Sequence, residues 1–308
     1  MKRIHSPWLK LKEGMNKEDY DRINGLQERC IREDQTTLKL ELDYKLGVYS
    51  STDSAGIRQI NEFMYFDGHE LIGYIGISDF GGAGTPFEVN GMVHPEYRRQ
   101  GVFGTLSKLV IEEWGRRASR SMLLLSDRKS EAGQTFIQGT GAKYHHTEHE
   151  MYLRADWTGV NKDSERITLR QATNADRWEI HRQNAIYFDD ELVEEGTNDP
   201  EKEMILPEEE EQRGMIIYLA EADGQVVGKV HIQLSSGIGG IYGLGVLPEH
   251  RGKGYGRATL LKAIDKLKEA SARDIMLQVA VENAGALRLY QSCGFVETST
   301  MDYYELPL

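Results

Sequence analysis

Along the chain, apolar runs of strand length and helix-spaced apolar positions follow one another in an order that occurs twice. In the C-terminal half, Met215–Glu221 reads as a strand, Ala222-Asp223-Gly224-Gln225 as a turn and Val226–Leu234 as the returning strand. In the N-terminal half, Asn61–Phe66, Asp67-Gly68-His69-Glu70 and Leu71–Phe80 repeat that order. An Asp-Gly pair between β-rich runs is a strong hairpin signal, because both residues tolerate positive φ. A third strand in each half ends near Val93 or Val246 and leads into a glycine-rich turn. Helical spacing then takes over, with Leu106, Val110 and Trp114 on one apolar face and Leu260, Ile264 and Leu267 on the other. Strands at Ser121–Leu125 and Asp274–Ala280 follow, and the C-terminal half closes with a helix over Asn283–Tyr290 and strands from Phe295 onward.

Between the halves, Asp156–Ser164 shows no periodicity, and Ile167-Thr168-Leu169-Arg170 opens a new strand. The chain therefore divides into domains at 1–155 and 165–308, each expected to be a mixed α+β unit. Its 308 residues fit two domains of ordinary size. A hydrophobic content of 39% gives each half enough apolar material for a core.

Composition narrows the class further. No apolar run approaches the roughly 20 residues that span a bilayer. The start, Met1-Lys2-Arg3-Ile4-His5-Ser6-Pro7, is basic without the apolar stretch of a secretory signal, so the cytoplasm is expected. Cys30 and Cys293 are the two cysteines and lie in different halves, which makes neither a disulfide framework nor a metal knuckle. The net charge of −12 argues against a nucleic-acid or anionic-membrane partner. Twelve of the 23 residues from Asp189 to Glu211 are acidic, which suits a solvated face or a lip that attracts a cationic substrate.

Positive charge gathers instead at the two glycine-rich turns. Val93-His94-Pro95-Glu96-Tyr97-Arg98-Arg99-Gln100-Gly101-Val102-Phe103-Gly104 in the first half matches Val246-Leu247-Pro248-Glu249-His250-Arg251-Gly252-Lys253-Gly254-Tyr255-Gly256 in the second. Glycines there remove Cβ atoms, so backbone N–H groups at a helix start can approach phosphate oxygens. Arg251, Lys253 and Arg257 add charge nearby. A Rossmann turn places Gly-x-Gly-x-x-Gly directly at the strand end. Here Pro248-Glu249-His250 intervenes and the spacing is Gly-x-Gly-x-Gly, which disfavours that fold.

Taken with Asn283-x-x-Ala286-x-x-x-Tyr290-x-x-x-Gly294-Phe295, this motif resembles the GNAT superfamily of acetyl-CoA-dependent N-acetyltransferases. The resemblance covers the C-terminal half from about Arg166 to the end. Arg251-Gly252-Lys253-Gly254-Tyr255-Gly256 matches the superfamily's Arg/Gln-x-x-Gly-x-Gly/Ala signature at every defined position. The N-terminal half matches from about Asn61 to Trp114, with Phe103 where Gly or Ala is preferred. The paired arrangement resembles tandem enzymes such as mycothiol synthase. The implied fold is two GNAT-like domains, each a mixed, mostly antiparallel sheet flanked by helices.

The resemblance also implies roles. The segment Leu244-Gly245-Val246 would be a bulged strand end, with the Leu244 N–H facing the thioester carbonyl. Pyrophosphate would sit on the turn from Arg251 through Arg257, Asn283 would cap a helix and contact the cofactor, and Tyr290 would act as general acid. No metal is called for. The first copy would hold a second CoA at Val93 and Arg98–Gly104, or keep only the fold: it lacks an Asn at the cap, and Phe136 lies near the tyrosine position. The general base is left open among His231, Tyr242, Glu191 and bound water. His145, His146 and His149 resemble a metal cluster, but on a strand His145 and His149 stand about 13 Å apart, too far for one ion. The implied activity is acetyl transfer to the primary amine of a small molecule or peptide, in a complex of both substrates. A non-catalytic acyl-CoA-binding or regulatory protein is the alternative.

Overall fold

The computed structural model describes residues 1–49, 59–78, 86–117, 121–159, 164–188 and 204–307. Two compact units emerge, Met1–Glu148 together with Ser299–Leu308, and His149–Thr298. Among the described residues no helix is long and apolar enough to cross a membrane.

The first unit opens with β1 (Pro7–Lys12), α1 (Lys17–Asp34) and α2 (Leu42–Tyr49). It continues through β2 (Glu62–Asp67), β3 (Glu70–Ser78), β4 (Phe87–Val93), α3 (Val102–Trp114), β5 (Ser121–Asp127) and α4 (Glu131–Thr140). The start of β6 (Lys143–Leu153) and the end of β12 (Phe295–Pro307) complete it. Strands β1 to β4 pair antiparallel in sequence order, β4 and β5 run parallel, and β12 lies antiparallel beside β5. One sheet face buries Val102, Leu106, Val110 and Trp114 of α3 against Phe63, Ile75, Phe87 and Met122. A second cluster joins Ile23, Leu26 and Cys30 of α1 to Met64, Phe66, Tyr74 and Met92. The helical spacing read from the sequence is thus the stripe that faces the sheet.

The second unit takes the end of β6, then β7 (Thr168–Gln171), α5 (Arg177–Phe188) and α6 (Pro207–Gln212). After these come β8 (Met215–Ala222), β9 (Gln225–Ser235), β10 (Ile238–Val246), α7 (Tyr255–Glu269), β11 (Asp274–Ala280) and α8 (Ala284–Ser292). Strands β7 to β10 pair antiparallel and β10 runs parallel to β11. Leu260, Ile264 and Leu267 of α7 are buried with Val230, Ile241, Ile275 and Leu277. At the β8–β9 turn Asp223 and Gly224 have φ of 50° and 75°, the two positive values that a tight hairpin needs. Each unit is therefore the expected mixed, mostly antiparallel sheet with helices.

The strand expected to reach Phe80 is β3 as far as Ser78; residues 79 and 80 lie outside the described residues. Two details differ from the sequence reading. Ser299–Leu308 belongs to the first unit, where Met301–Pro307 pairs with Ser121–Asp127, although 165–308 was expected to form one domain. Residues 1–49 hold a strand and two helices that no motif announced. Asn16 starts α1, accepting from the Asp19 N–H at 2.9 Å.

Candidate active site

In the second unit, β10 leaves its parallel neighbour part-way. The β10–β11 ladder joins Ile238–Ile241 to Asp274–Leu277, while β10 continues to Val246 and β11 to Ala280. Against β9 the register shifts between Tyr242 and Gly245, so Gly243 and Leu244 form a bulge, with Gly243 at φ 54°. A bulge frees backbone groups from the ladder and re-aims them. A Cβ on Gly245 would run into the ring of Tyr187, so glycine there lets α5 close over the bulge.

Beyond Val246 the chain turns and starts α7. Gly252 and Gly254 have φ of 74° and 85°, and Gly254 caps α7 with no side chain bonded to the helix start. A Cβ at Gly252 would meet nothing within 4 Å, so the turn is open on that side. The first N–H groups of a helix with no side-chain cap point outward and carry partial positive charge, the arrangement that an anion takes up. The basic side chains are placed less uniformly than the sequence suggested. Arg251 donates from Nε to the Val246 carbonyl at 3.0 Å, tying the turn to the strand end. Arg257 donates to the Ser292 hydroxyl at 2.9 Å and the Ser292 carbonyl at 3.3 Å, which fastens α7 to the end of α8. The Lys253 carbonyl accepts from Arg166, and Tyr255 packs its ring toward Ile167, Ala222 and Ala258. Gly256 sits beside Leu289 and Val246, each 3.6 Å from where its Cβ would be.

Asn283 caps α8, its side-chain oxygen accepting from the Ala286 N–H at 3.1 Å. That leaves its Nδ2 for any cofactor contact. Tyr290 lies on α8, 8% exposed, with its ring 6.2 Å from Phe295. Burial pushes its phenol up to about 12. A group so shifted stays protonated at neutral pH and donates without giving its proton away easily.

Sequence reasoning missed Lys229 and Tyr187. Lys229 is fully buried on β9, with Nζ 3.3 Å from the Gly243 carbonyl and 3.2 Å from His231 Nε2. The Tyr187 ring lies 5.5 Å from the same Nζ, and Tyr187 donates to Gln183 at 2.9 Å. The signal was legible in part, since Lys229 interrupts the otherwise apolar stretch Val226–Val230. Burial, then the neighbouring Lys229 charge, holds His231 well below the ordinary histidine range. An ammonium donor on Nε2 fills the lone pair of a neutral imidazole, so His231 steadies Lys229. The Tyr242 hydroxyl points to the Met276 sulfur at 3.8 Å, and Glu191 lies outside the described residues.

The first unit repeats the parted strands and the uncapped helix start, without the bulge. The β4–β5 ladder joins Phe87–Val89 to Met122–Leu124 and goes no further, though both strands continue. Arg98 donates from Nε to the Val93 carbonyl at 3.0 Å, as Arg251 does to Val246, and pairs with Asp34 at 2.7 and 2.6 Å. Arg99 and Gly101 take φ of 62° and 84°. Gly101 caps α3 with no side chain bonded to the helix start, while Gln100 donates to the Lys2 carbonyl at 2.7 Å. A cavity of about 800 Å³ opens beside this turn, lined among others by Val93, Val102, Phe103, Gly104, Phe136 and Ile137.

As the sequence has it, no asparagine stands at the start of α4; Ser130 takes the cap, accepting from the Gly133 N–H at 3.2 Å. Counting from the two caps, Ile137 stands where Tyr290 stands, and Phe136 where Leu289 stands. Phe136 meets Phe103 edge-on at 4.7 Å, an aromatic pair in place of Leu289 and Gly256. On β6, His145 and His146 approach through their Nδ1 atoms at 2.7 Å, and His149 lies 3.8 Å from Glu297. Among the described residues no three His, Cys, Asp or Glu side chains come together as metal ligands.

Residues 178–295 match the Acetyltransferase (GNAT) family. An aminoglycoside N(6')-acetyltransferase type 1 from Stenotrophomonas maltophilia is 31% identical over 152 residues, 46% of this chain and 94% of that protein. A mycothiol acetyltransferase from Thermobispora bispora is 42% identical over 85 residues, 25% of this chain and 29% of that protein. The matched segment spans about 30% of the length of such mycothiol acetyltransferases. Among solved structures, a GCN5-related N-acetyltransferase from Sphaerobacter thermophilus has a TM-score of 0.73 at 18% identity, covering 97% of this chain and 95% of that one. A tandem GNAT protein from the clavulanic acid biosynthesis pathway has a TM-score of 0.70 at 15% identity, covering 97% and 98%. At those identities the two structures speak to the fold.

Proposed function

The chain belongs to the GNAT acetyltransferase family, and on that footing we propose that its second unit moves an acetyl group from acetyl-CoA to a primary amine of a small molecule or peptide. The observation that carries the proposal is the uncapped start of α7 behind the bulged and parted end of β10. The N–H groups of Tyr255, Gly256 and Arg257 receive the pyrophosphate, and the gap beside Tyr242–Val246 receives the pantetheine arm. Leu244, released from the ladder by the bulge, turns its N–H to the thioester oxygen and stabilises the negative charge that develops there. Lys229 holds the Gly243 carbonyl and so fixes the bulge from below. Tyr290 donates a hydrogen bond to the departing sulfur. His231 is committed to Lys229, and the amine loses its proton to water.

An acceptor with positive charge suits the acidic run from Asp189 to Glu211, of which α6 carries Glu208–Glu211. A relative named for acetylating aminoglycosides, which are polyamines, supports that class. In the first unit we assign a second CoA site to the cavity beside α3, without turnover: Ile137 cannot donate a proton, and β4 pairs with β3 from Glu88 to Val93 with no register shift. The test is thiol release from acetyl-CoA with a panel of amines, with products identified by mass spectrometry. Release that depends on the amine supports acetyl transfer. Binding of acetyl-CoA with no release above hydrolytic background for any amine would show a non-catalytic binder instead.

A further inference from the structure

We infer that the first unit's cavity selects acylated CoA over free CoA, and that Asn90 reads the difference. This rests on the reading that the cavity takes CoA at all. Asn90 lies on β4, 6% exposed, and lines the cavity with Thr36, Thr37 and Leu38. Its Oδ1 accepts from the Gly91 N–H at 2.7 Å, which fixes which way the amide faces. Its Nδ2 is buried and has no hydrogen-bond partner among the described residues. A buried amide donor left unpaired is costly, and one that lines a cavity points to a ligand acceptor.

The position along the strand identifies that acceptor. Counted back from the turn, Asn90 matches Gly243 of the second unit, where the bulge frees a backbone donor. The first unit has no bulge: Asn90 and Gly91 pair in register with Gly76 and Ile75. Gly91 stands where Leu244 stands, but its N–H is taken up by Asn90 Oδ1, so the side chain of Asn90 presents the donor in its place. Three residues of strand put Asn90 about 10 Å before Val93, inward from the helix start that receives phosphate. The thioester end of an arm running inward along β4 arrives at this depth. A thioester carbonyl satisfies Nδ2, whereas the thiol of free CoA leaves it unpaired. Sites that bury a donor for a carbonyl reject ligands that lack one.

The experiment is calorimetric titration of the full chain with acetyl-CoA, CoA and S-ethyl-CoA, a thioether of equal length without the carbonyl. Wild type should show two binding components, one of which prefers acetyl-CoA over S-ethyl-CoA by about 10- to 100-fold. Asn90→Leu and Asn90→Asp should each flatten that preference in the same component. The aspartate variant retains the acceptor for Gly91 N–H, so it tests the donor even if the leucine variant folds poorly. Two components with the preference intact in Asn90→Asp would overturn the role of Asn90 while leaving the CoA reading standing. A single component, abolished by Gly254→Val in the second unit, would overturn both.

Discussion

Replacing Tyr290 with phenylalanine removes one hydroxyl and leaves the ring against Phe295 and its neighbours. Among the described residues the Tyr290 hydroxyl has no hydrogen bond, and the side chain is 8% exposed. Folding stability should therefore stay within about 0.5 kcal/mol of wild type, since no buried partner is orphaned. The catalytic effect comes from the leaving group. With the phenol pushed up to about 12 by burial, complete proton transfer to an alkyl thiolate near 8.5 is uphill by roughly 3 to 4 pK units. On the proposed mechanism Tyr290 acts as a hydrogen-bond donor to emerging charge, an interaction of about 1.5–3 kcal/mol. The kcat of Tyr290→Phe should fall roughly 10- to 150-fold, with acetyl-CoA affinity by calorimetry unchanged within about threefold. A group titrating near 12 produces no alkaline limb in the assay range, so the pH profiles of wild type and variant should be parallel up to about pH 10.5. Unchanged kcat would remove Tyr290 from the mechanism. An alkaline limb near pH 10 that vanishes in the variant would refute the argument from burial.

Gly254→Ala should cost about 1–2 kcal/mol in a denaturant titration, because φ is 85° there and the Cβ itself meets only the tip of Arg166 at 3.4 Å. The same variant should bind acetyl-CoA more weakly at the second unit, and unchanged affinity would move the phosphate elsewhere. Gly256→Phe, which copies the first unit's residue into the second, should lower acetyl-CoA affinity at least tenfold by crowding Leu289 and Val246; tight binding in that variant would mean that the helix start is not approached from this side. Stability should fall below pH 6.5 through His231, whose pKa is lowered by burial and then by Lys229. The unfolded chain binds that proton first as pH drops, so stability present above about 6.5 is lost below it, by up to about 1.4 kcal/mol per pH unit. His94, lowered by burial and then by Arg29, adds to the same trend in the first unit. A His231→Gln variant with the same pH slope as wild type would sink the linkage.

The hairpins, the turns and the α3 and α7 stripes were legible because each is decided within a few residues. Asp223-Gly224 takes the two positive φ angles of a tight hairpin, at the first unit's Asp67-Gly68 the glycine alone does so, and Leu260, Ile264 and Leu267 share a helix face by spacing alone. What escaped depends on partners distant in sequence. Residues 299–308 read as a strand, yet their unit is chosen by pairing with Ser121–Asp127. Arg251 and Arg257 read as phosphate ligands, yet Val246 and Ser292 engage them, because nearby carbonyl oxygens offer fixed partners to a long cation. Lys229 carries no motif, and its importance follows from a bulge that depends on a one-residue choice of register between β9 and β10.

The two copies separate backbone from chemistry. Gly101 and Gly254 agree in φ at 84° and 85°, and Arg98 and Arg251 make the same 3.0 Å bond to the strand end. Helix starts that can receive an anion are therefore present in both units. The differences lie one layer inward: a bulge at Gly243 against a regular ladder at Asn90, Gly256 against Phe103, and Tyr290 against Ile137. Each of these changes a group that would meet the thioester or its route, and none disturbs the turn. On the proposed reading, a cofactor-binding scaffold is kept while the groups that would act on the thioester are exchanged, and a buried amide on a regular strand holds the carbonyl in place of the bulge.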